Sequence, residues 1–490
     1  MVDETMHRRS QPAAPAGGGT LMVPVSMVAA SLAGLAVSLL APHLLAPSDY
    51  GRFATAWALG QLVASLGYEW MRFGVLRFAG GADAARAAGR LGLLAGGYRA
   101  TTLLLLLAAV TAIGLWRREA VLVAAVLVFA ACNGIFDGRQ ALLRARFDNA
   151  AFARGRLIRS VLSLVFALAA AQVTGTAEAV LIGLALSFPA AMVLDRAGAA
   201  HPPARAAWAE FGPLFAFGLF AALATNLALA GPALQRALAL AHFAPVPAAA
   251  LTLAFDLAGK AVAVTGLAVN VVMMQQSIRT AEFGPAEDQP HQAGRQIAVT
   301  AAFIAPAALG VALVAEPLAG LAVPSDLRPD FVALAAPASL SAGLLALRLF
   351  GLDPLFVVRR RTALGVPGPL VSALALGALF LAPSFGLAAL AWAMAATAAL
   401  GLAVAALALA GSGPIAWPLA DLARVAFGCA TMVAAAWLVP VRAGWIGLAL
   451  TVLAATLAYA AAVWATDAAG LRQALLRQRR GRRRSGEMPR

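Results

Sequence analysis

Apolar runs long enough to cross a bilayer follow one another along almost the whole chain, separated by short charged or Pro/Gly-rich breaks. A helix needs about 20 apolar residues to cross the hydrocarbon core of a membrane. The pattern predicts an all-α polytopic membrane protein with about 14 transmembrane helices, of which the fourth to sixth are short. The candidate spans lie near 21–45, 53–76, 91–115, 120–138, 157–173, 177–195, 211–234, 247–275, 296–316, 331–352, 363–382, 385–410, 420–439 and 443–465.

Composition supports this class and excludes a soluble domain. The 490 residues are 62% hydrophobic and only 12% charged, with a mean hydropathy of +0.83. A soluble domain is nearer half apolar and a quarter charged. The chain therefore holds more apolar surface than a water-soluble core can bury.

The net charge of +15 is better explained by membrane topology than by nucleic acid, and no nucleic-acid partner is expected. With the N-terminus in the cytoplasm, 28 of the 37 basic residues fall in the tails, the inner loops and their flanks, against six in the outer loops. Cytoplasmic loops carry such an excess of Lys and Arg. We therefore expect a multi-pass membrane protein with both termini cytoplasmic, in which basic segments such as 138–160 are loops that fix the topology and contact acidic lipid headgroups.

An internal repeat suggests how the spans are grouped. The segment "LLAPSDYGRFATAWALGQLVAS", ending at Ser65, aligns with "ALAHFAPVPAAALTLAFDLAGK", ending at Lys260. Transporters are often built from such repeats, with the substrate site between them. We expect two pseudo-symmetric six-helix bundles plus two C-terminal helices. The predicted units are a disordered cytoplasmic tail at 1–20, an N-terminal lobe at 21–195, a C-terminal lobe at 196–410, two further helices at 411–469 and a basic tail at 470–490.

Ionisable side chains inside the predicted spans are the candidates for a functional site. On span two, Glu69 and Arg72 share one helical face with Gln61 and Ser65, because these positions are spaced by three or four residues. Intramembrane charges usually face a bundle interior or a wet cavity and have a partner. Glu69 and Arg72, three residues apart, can pair with each other.

Span eight shows the same pattern. Asp256 lies four residues before Lys260, the single lysine of an arginine-rich chain. Spans seven and three add Asn226 and Arg99. One interpretation is a partly cationic substrate cavity between the bundles, in which Arg and Lys hold an anion. The alternative is that the acid–base pairs are interhelical struts. The candidate cavity residues are Glu69, Arg72, Arg99, Asn226, Asp256 and Lys260.

Enzyme signatures are absent from the sequence. It contains no phosphate-binding G-x-x-x-x-G-K-[ST] motif and no His/Cys/Glu cluster with metal-ligand spacing. Cys132 and Cys429 lie in separate apolar runs and suggest no disulfide framework. We therefore expect no catalytic residues, no metal and no cofactor, and we expect that the protein is not an enzyme.

Motifs in the first six spans resemble a known family. The turn and helix "LLAPSDYGRFATAWALGQLVASLGYEWMRFGVLRFAGG" and the basic segment "LLRARFDNAAFARGRLIRSVLSLVFALAAAQVTG" are similar to the polysaccharide-biosynthesis flippases, the Wzx-type oligosaccharide–lipid transporters of the MATE-like MOP superfamily. The positions that match the family pattern are Pro47, Asp49, Tyr50, Gly51, Gly67 and Arg77.

The resemblance implies a function. Such proteins lie in a bacterial inner membrane and move an undecaprenyl-pyrophosphate-linked oligosaccharide from its inner to its outer leaflet by alternating access, for exopolysaccharide, lipopolysaccharide or capsule synthesis. The implied partners are the lipid-linked oligosaccharide, membrane lipids and a polysaccharide polymerase or glycosyltransferases. Three alternatives stay open: a MATE-type cation/drug antiporter, a membrane enzyme such as a ligase or polymerase, and a non-transporting component of a polysaccharide assembly complex.

Overall fold

The computed structural model describes residues 22–78, 84–114, 118–145, 148–195, 209, 211–381, 386–439, 444–473 and 476. The predicted tail at 1–20 lies outside these residues, as does the tail at 470–490 except for 470–473 and 476. The described part of the chain is helical and has no β-strand, which confirms the all-α polytopic fold.

Sixteen α-helices follow one another in the described residues. Those of the first part of the chain are α1 (Met22–Leu44), α2 (Pro47–Phe78), α3 (Ala84–Gly114), α4 (Arg118–Ala145), α5 (Asn149–Thr174) and α6 (Ala177–Leu194). The second part contains α7 (Phe211–His242), α8 (Pro245–Phe283), α9 (Asp288–Leu313), α10 (Ala315–Ala322), α11 (Arg328–Ala346), α12 (Asp353–Val358), α13 (Pro367–Ala378) and α14 (Leu387–Ala410). The chain continues with α15 (Leu419–Trp437) and α16 (Gly444–Thr466), and a π-helical segment, Leu347–Leu352, joins α11 to α12.

Thirteen helical segments of the described chain are long and apolar enough to cross a membrane. The long helix that falls short is α2, because it carries charges such as Asp49, Arg52, Glu69 and Arg72 along its 32 residues. Every apolar run identified in the sequence corresponds to a helix. With α2 included, the helices account for all fourteen expected spans.

Three helix boundaries differ from the expectation. The fourth and fifth spans are not short: α4 continues to Ala145 and α5 begins at Asn149, so the arginine-rich segment 138–160 is largely helical and not a loop. Asp148 caps α5, since its carboxylate accepts a hydrogen bond from the Ala151 amide at 3.0 Å. Similarly, α7 continues to His242, so Arg236 lies within this helix and not in an outer loop.

Most helices of the first half, α1–α6, and of the second half, α7–α14, pack mainly within their own half, whereas α7 packs most extensively on α2. In the first half, α1 packs on α5, α2 and α3 pack on α4, and α5 packs on α6; in the second, α8 packs on α9 and α11, and α14 packs on α11 and α13. The seam between the halves is formed by α2 against α7 and by α1 against α8. The pair α15–α16 packs on α9.

Glycine permits close helix contacts at two places that matter for the site. At Gly218 of α7, a Cβ atom would lie 2.5 Å from the Trp70 carbonyl oxygen of α2. At Gly183 of α6, it would lie 2.6 Å from the Phe166 carbonyl oxygen of α5. Small residues of this kind let helix backbones approach closely in membranes, where packing replaces the hydrophobic effect as the driving force.

The connection between α14 and α15 is held by one arginine. Arg359, which follows α12, donates hydrogen bonds to the hydroxyl of Ser412 at 2.7 Å and to the carbonyl oxygens of Gly413 at 3.2 Å and Pro414 at 2.7 Å. The Ala416 amide also donates to the Pro290 carbonyl oxygen of α9 at 3.2 Å. The connection is thereby fixed to the second half of the protein.

Candidate functional site

A polar cavity of about 150 Å³ lies between the two halves, enclosed by α2, α3, α4 and α7. Its lining is mostly polar, in contrast to the surrounding apolar helices. The polar residues that line it are Gln61, Ser65, Tyr68, Glu69, Arg72, Tyr98, Asn133, Asp137 and Thr225. We call this space the polar cavity.

The stripe predicted on α2 forms one wall of the polar cavity. Glu69 is buried, with 8% of its surface exposed, and accepts a hydrogen bond from Arg72 one turn along the helix. The Arg72 guanidinium lies 5.5 Å from the centre of the Phe73 ring, and its buried Nε atom has no hydrogen-bond partner. Arg72 therefore keeps a free donor beside the cavity while Glu69 balances its charge.

Neutral polar groups complete the wall. Asn133 of α4 donates an amide hydrogen bond to Gln61 Oε1 at 3.2 Å. The Ser65 hydroxyl is buried and has no partner. Since buried polar groups usually find a hydrogen-bond partner, this unpaired hydroxyl is typical of a surface that contacts water or a ligand.

Two stacked tyrosines close the polar cavity on the α3 side. The Tyr68 and Tyr98 rings stack with centres 5.4 Å apart, and the Tyr68 hydroxyl is 2.7 Å from Thr102 Oγ1. Each ring rests on a glycine of α4: a Cβ atom would lie 2.1 Å from Tyr68 at Gly134 and 2.6 Å from Tyr98 at Gly138. The Tyr98 hydroxyl is buried without a partner. We call these two rings the tyrosine partition.

Arginines of α4 and α5 add positive charge near the polar cavity without lining it. Arg156 and Arg159 are attracted electrostatically to Asp137, whereas Arg144 and Arg72 repel each other. The Nε atoms of Arg156 and Arg159 are buried without a hydrogen-bond partner, and the Arg159 guanidinium lies 4.5 Å from the centre of the Phe188 ring. Of the charged residues that line the polar cavity, Arg72 is a cation and Glu69 and Asp137 are carboxylates, and Arg156 and Arg159 add positive charge near Asp137.

Sequence reasoning missed these arginines as functional candidates. Arg144, Arg156 and Arg159 belong to the basic segment 138–160, whose charge alone indicates only a determinant of topology. The signal that distinguishes Arg156 and Arg159 is three-dimensional, because their burial and their proximity to Asp137 depend on how α5 packs against α4 and α6. A helical wheel of α5 alone places Arg156 and Arg159 on one side but does not identify the neighbour.

A second ionic group lies near the end of the bundle at which α1 turns into α2. Asp256 of α8 is 5% exposed and accepts a hydrogen bond from Arg236 of α7. Its other oxygen lies 3.8 Å from Lys260 Nζ and 3.4 Å from the Ser38 hydroxyl of α1. The expected Asp256–Lys260 pair therefore forms, but Arg236 is the closer partner of the carboxylate.

Lys260 connects this group to the first half of the protein. Its ammonium donates to the Ser38 hydroxyl and to the Gly34 carbonyl oxygen at 3.1 Å, and lies 4.2 Å from the centre of the Trp57 ring of α2. This is the geometry of a cation–π contact. The set of Ser38, Trp57, Arg236, Asp256 and Lys260, here called the ionic seam, joins α1, α2, α7 and α8.

The structure places five of the six candidate residues in three separate sites, and Asn226 is buried beside one of them without lining it. Glu69 and Arg72 line the polar cavity, and Asn226, which is buried with an unpaired Oδ1 atom, follows the cavity residue Thr225 on α7. Asp256 and Lys260 belong to the ionic seam. Trp57, the seam residue of α2, precedes Glu69 by twelve residues, about 18 Å along a helix.

Arg99, the sixth candidate, lines a different space. A groove of about 490 Å³, lined mostly by apolar side chains such as Leu91, Leu94 and Leu142, lies between the second half of α2, α3 and α4. Tyr98 lines both this groove and the polar cavity, so the tyrosine partition separates the two. We call the larger space the lateral groove. Within the described residues, no group of three or more His, Cys, Asp or Glu side chains has metal-site geometry.

Solved structures of transporters share this fold. The chain is similar to the lipid II flippase MurJ in an inward closed conformation, with a TM-score of 0.68 and 11% identity over 91% of this chain and 98% of that one. It is also similar to a MATE protein in the straight conformation (TM-score 0.52, 12% identity, 83% and 95% covered). The MATE transporter VcmN of Vibrio cholerae gives a TM-score of 0.53 at 15% identity, with 80% and 96% covered.

These similarities establish the fold. MurJ and the MATE transporters are both members of the MOP superfamily, so the fold expected from the sequence motifs is confirmed. No protein-family model matches the chain, and no curated protein matches it.

Proposed function

We propose that the protein is a flippase that moves an undecaprenyl-pyrophosphate-linked oligosaccharide from the inner to the outer leaflet of a bacterial inner membrane. The observation that carries this proposal is Arg72, which lines the polar cavity at the seam between two helical halves and keeps a buried Nε donor without a partner. Guanidinium groups bind phosphate oxygens through charge-assisted hydrogen bonds. The similarity to a lipid II flippase supports the proposal at the level of fold.

In the proposed mechanism, the end of the bundle at which α2 turns toward α3 is cytoplasmic, as are both termini. The headgroup enters the polar cavity from that end, and Arg72 contacts a phosphate through donors that Glu69 does not use. Glu69 neutralises Arg72 when the cavity is empty, which limits the cost of a buried charge. The cavity of about 150 Å³ is smaller than the roughly 300–1,000 Å³ of typical ligand pockets, so entry requires the halves to separate.

The ionic seam keeps the opposite end closed in this mechanism. It links α1 and α2 to α7 and α8, so the outer end opens only when the Asp256 and Lys260 contacts across the halves break. We propose that the lobes 21–195 and 196–410 move as units and that 411–469 moves with the second lobe. The proposed partners are the lipid-linked oligosaccharide, membrane lipids and the glycosyltransferases or polymerase of surface polysaccharide synthesis.

A cation/drug antiporter is the second candidate, because two carboxylates, Glu69 and Asp137, line the polar cavity and MATE transporters share the fold. The two candidate functions depend on different charged residues of the polar cavity. An anion flippase depends on Arg72, whereas an antiporter of cationic drugs depends on the carboxylates.

The test compares Arg72→Ala with Arg424→Ala in proteoliposomes that contain a fluorescent polyprenyl-pyrophosphate-linked disaccharide. Arg424 is a matched control, since it pairs with Asp421 three residues away at 2.9 Å, on the remote helix α15. Loss of a charge-assisted hydrogen bond costs about 1.5–3 kcal/mol, so we expect flipping by the Arg72 variant to fall about tenfold or more. The Arg424 variant should stay within about twofold of the unmodified protein, since exposed ion pairs contribute little.

Equal flipping by both variants would refute the role of Arg72. An antiporter would instead show no flipping of the probe, and export of a cationic dye that is lost in Glu69→Gln and retained in Arg72→Ala.

A further inference from the structure

The lateral groove opens on a face of the protein that contacts lipid. On α3, Leu103 and Leu104 are each 67% exposed and Leu107 is 64% exposed, so this helix presents hydrocarbon to the bilayer. The groove has a volume of about 490 Å³, and most of its lining is aliphatic. A groove of this size and lining can hold a single hydrocarbon chain, and it has few polar groups that could hydrogen-bond to a sugar.

One charged residue of the groove has no partner. Arg99 lines the groove and is exposed, and it forms no ion pair or hydrogen bond within the described residues. The other arginine of the groove, Arg139, is occupied: it donates to the Asp195 carboxylate and to the Met192 carbonyl oxygen, each at 3.1 Å. Arg99 is therefore the free cation of the lateral groove.

The depth of Arg99 limits the kind of anion that can reach it. It lies ten residues from Gly89 and fifteen from Gly114, the ends of the apolar part of α3, which correspond to about 15 Å and about 22 Å along the helix. The position is near the middle of a hydrocarbon core about 30 Å thick. A phospholipid of the bilayer keeps its phosphate at the interface, whereas a lipid whose headgroup is crossing brings its phosphate to this depth.

The polar cavity begins on the other side of Tyr98. The Tyr98 ring contributes to both spaces, and its hydroxyl is buried without a partner. Arg99, the next residue of α3, is on the groove side. An amphipathic molecule that spans this boundary would place a chain in the groove, a phosphate beside Tyr98 and Arg99, and its polar end near Arg72 and Glu69.

We propose that the lateral groove binds the hydrocarbon chain of the transported lipid, and that Tyr98 and Arg99 bind its phosphate at the boundary with the polar cavity. This inference rests on the proposed function and adds the path of the chain, which runs between α3 and α4 through the side of the first half. The tyrosine partition is then the part of the wall that the lipid displaces as its headgroup enters.

The experiment uses the full-length protein in nanodiscs and a polyprenyl-pyrophosphate-linked disaccharide with a diazirine near the end of its chain. After illumination, peptide mass spectrometry locates the adducts. We expect saturable labelling of α3 and α4 at residues such as Leu91, Leu94 and Leu142, reduced about tenfold in Arg99→Ala. A chainless pyrophosphate-linked disaccharide should bind the Arg72-dependent cavity without protecting the groove from a chain-only photoprobe.

A matched pair of variants separates filling of the groove from a general effect on α3. Ala95 lines the groove, whereas Ala100 is exposed on the same helix and does not line it. Ala95→Phe should reduce labelling at least fivefold, and Ala100→Phe should stay within twofold. Size-exclusion chromatography of each variant verifies that it is folded.

The outcomes distinguish the two proposals. Saturable, Arg72-dependent binding with adducts on other helices, for example α15 and α16, would overturn the groove and leave the flippase proposal intact. Equal labelling of the Ala95 and Ala100 variants would also overturn the groove. Absence of saturable binding to the unmodified protein would overturn the proposed function, and the groove with it.

Discussion

Replacement of Asp256 by asparagine tests the ionic seam directly, because the side chain keeps its shape and loses only its charge. Among the described residues, Asp256 is the carboxylate that contacts both seam cations, Arg236 and Lys260. In Asp256→Asn, both cations remain in a buried environment without a counter-charge. Removing one partner of a buried ion pair in this way costs about 3–5 kcal/mol.

The structure also predicts the order of three variants. The Lys260–Asp256 separation of 3.8 Å corresponds to an attraction of about 4 kcal/mol at an effective dielectric constant near 20. Lys260→Met removes this attraction, but it also removes the repulsion between Lys260 and Arg236 and leaves a neutral Arg236–Asp256 pair. Arg236→Met leaves the looser Lys260–Asp256 pair. Lys260→Met also loses the hydrogen bonds to Ser38 and Gly34 and the contact with Trp57. We therefore expect the loss of stability to be largest for Asp256→Asn, intermediate for Arg236→Met and smallest, about 1–2 kcal/mol, for Lys260→Met.

The assay is thermal unfolding of the purified protein in detergent, followed by fluorescence-detected size-exclusion chromatography. The double variant Asp256→Asn/Arg236→Met serves as the control, since it removes one charge of each sign. It should be more stable than Asp256→Asn alone, which is the non-additivity expected for residues in contact. If Lys260→Met lowers the midpoint as much as Asp256→Asn does, the account of the seam as a carboxylate between two cations is wrong.

Two further predictions concern packing and charge in the first half. Gly134→Ala should destabilise the protein by about 1–3 kcal/mol, because the added Cβ would lie 2.1 Å from the Tyr68 ring. The control, Gly96→Ala on α3, has nothing within 4 Å of the added Cβ and should be neutral or slightly stabilising in the same thermal assay. Equal effects of the two substitutions would contradict this packing argument. Asp195→Asn should lower the midpoint of thermal unfolding more than Asp421→Asn does. The Asp195 side chain is 1% exposed and binds both Arg139 and Arg154, whereas the Asp421 side chain is 28% exposed. The reverse order would show that the ion pairs of Asp195 do not stabilise the fold.

The positions of the helices follow from the sequence because an apolar run of some 20 residues has few alternatives to a membrane-crossing helix. The ends of α4 and α5 do not follow, since arginines in the segment 138–160 look like loop residues when only hydropathy is considered. In the folded protein these side chains find Asp195, Phe152 and Phe188 as neighbours, and the backbone remains helical.

The candidate site shows the same division. Helical periodicity was sufficient to group Gln61, Ser65, Glu69 and Arg72, because they share a face of one helix. The same periodicity predicts Lys260 as the partner of Asp256. In the structure, Arg236, which lies on a different helix and twenty residues away in sequence, is closer to the Asp256 carboxylate than Lys260 is. The tyrosine partition depends on Gly134 and Gly138 lying opposite two rings from other helices, and no local pattern in the sequence contains that information.

The hydrogen bonds of Arg359 determine how the last two helices take part in any movement. This side chain and the Pro290 carbonyl hold the connection to α15 against the second half. In the proposed mechanism, α15 and α16 would therefore turn with the second half and displace lipid as the angle between the halves changes. The thickness and lateral pressure of the bilayer around these two helices would then act on the same proposed equilibrium as the substrate.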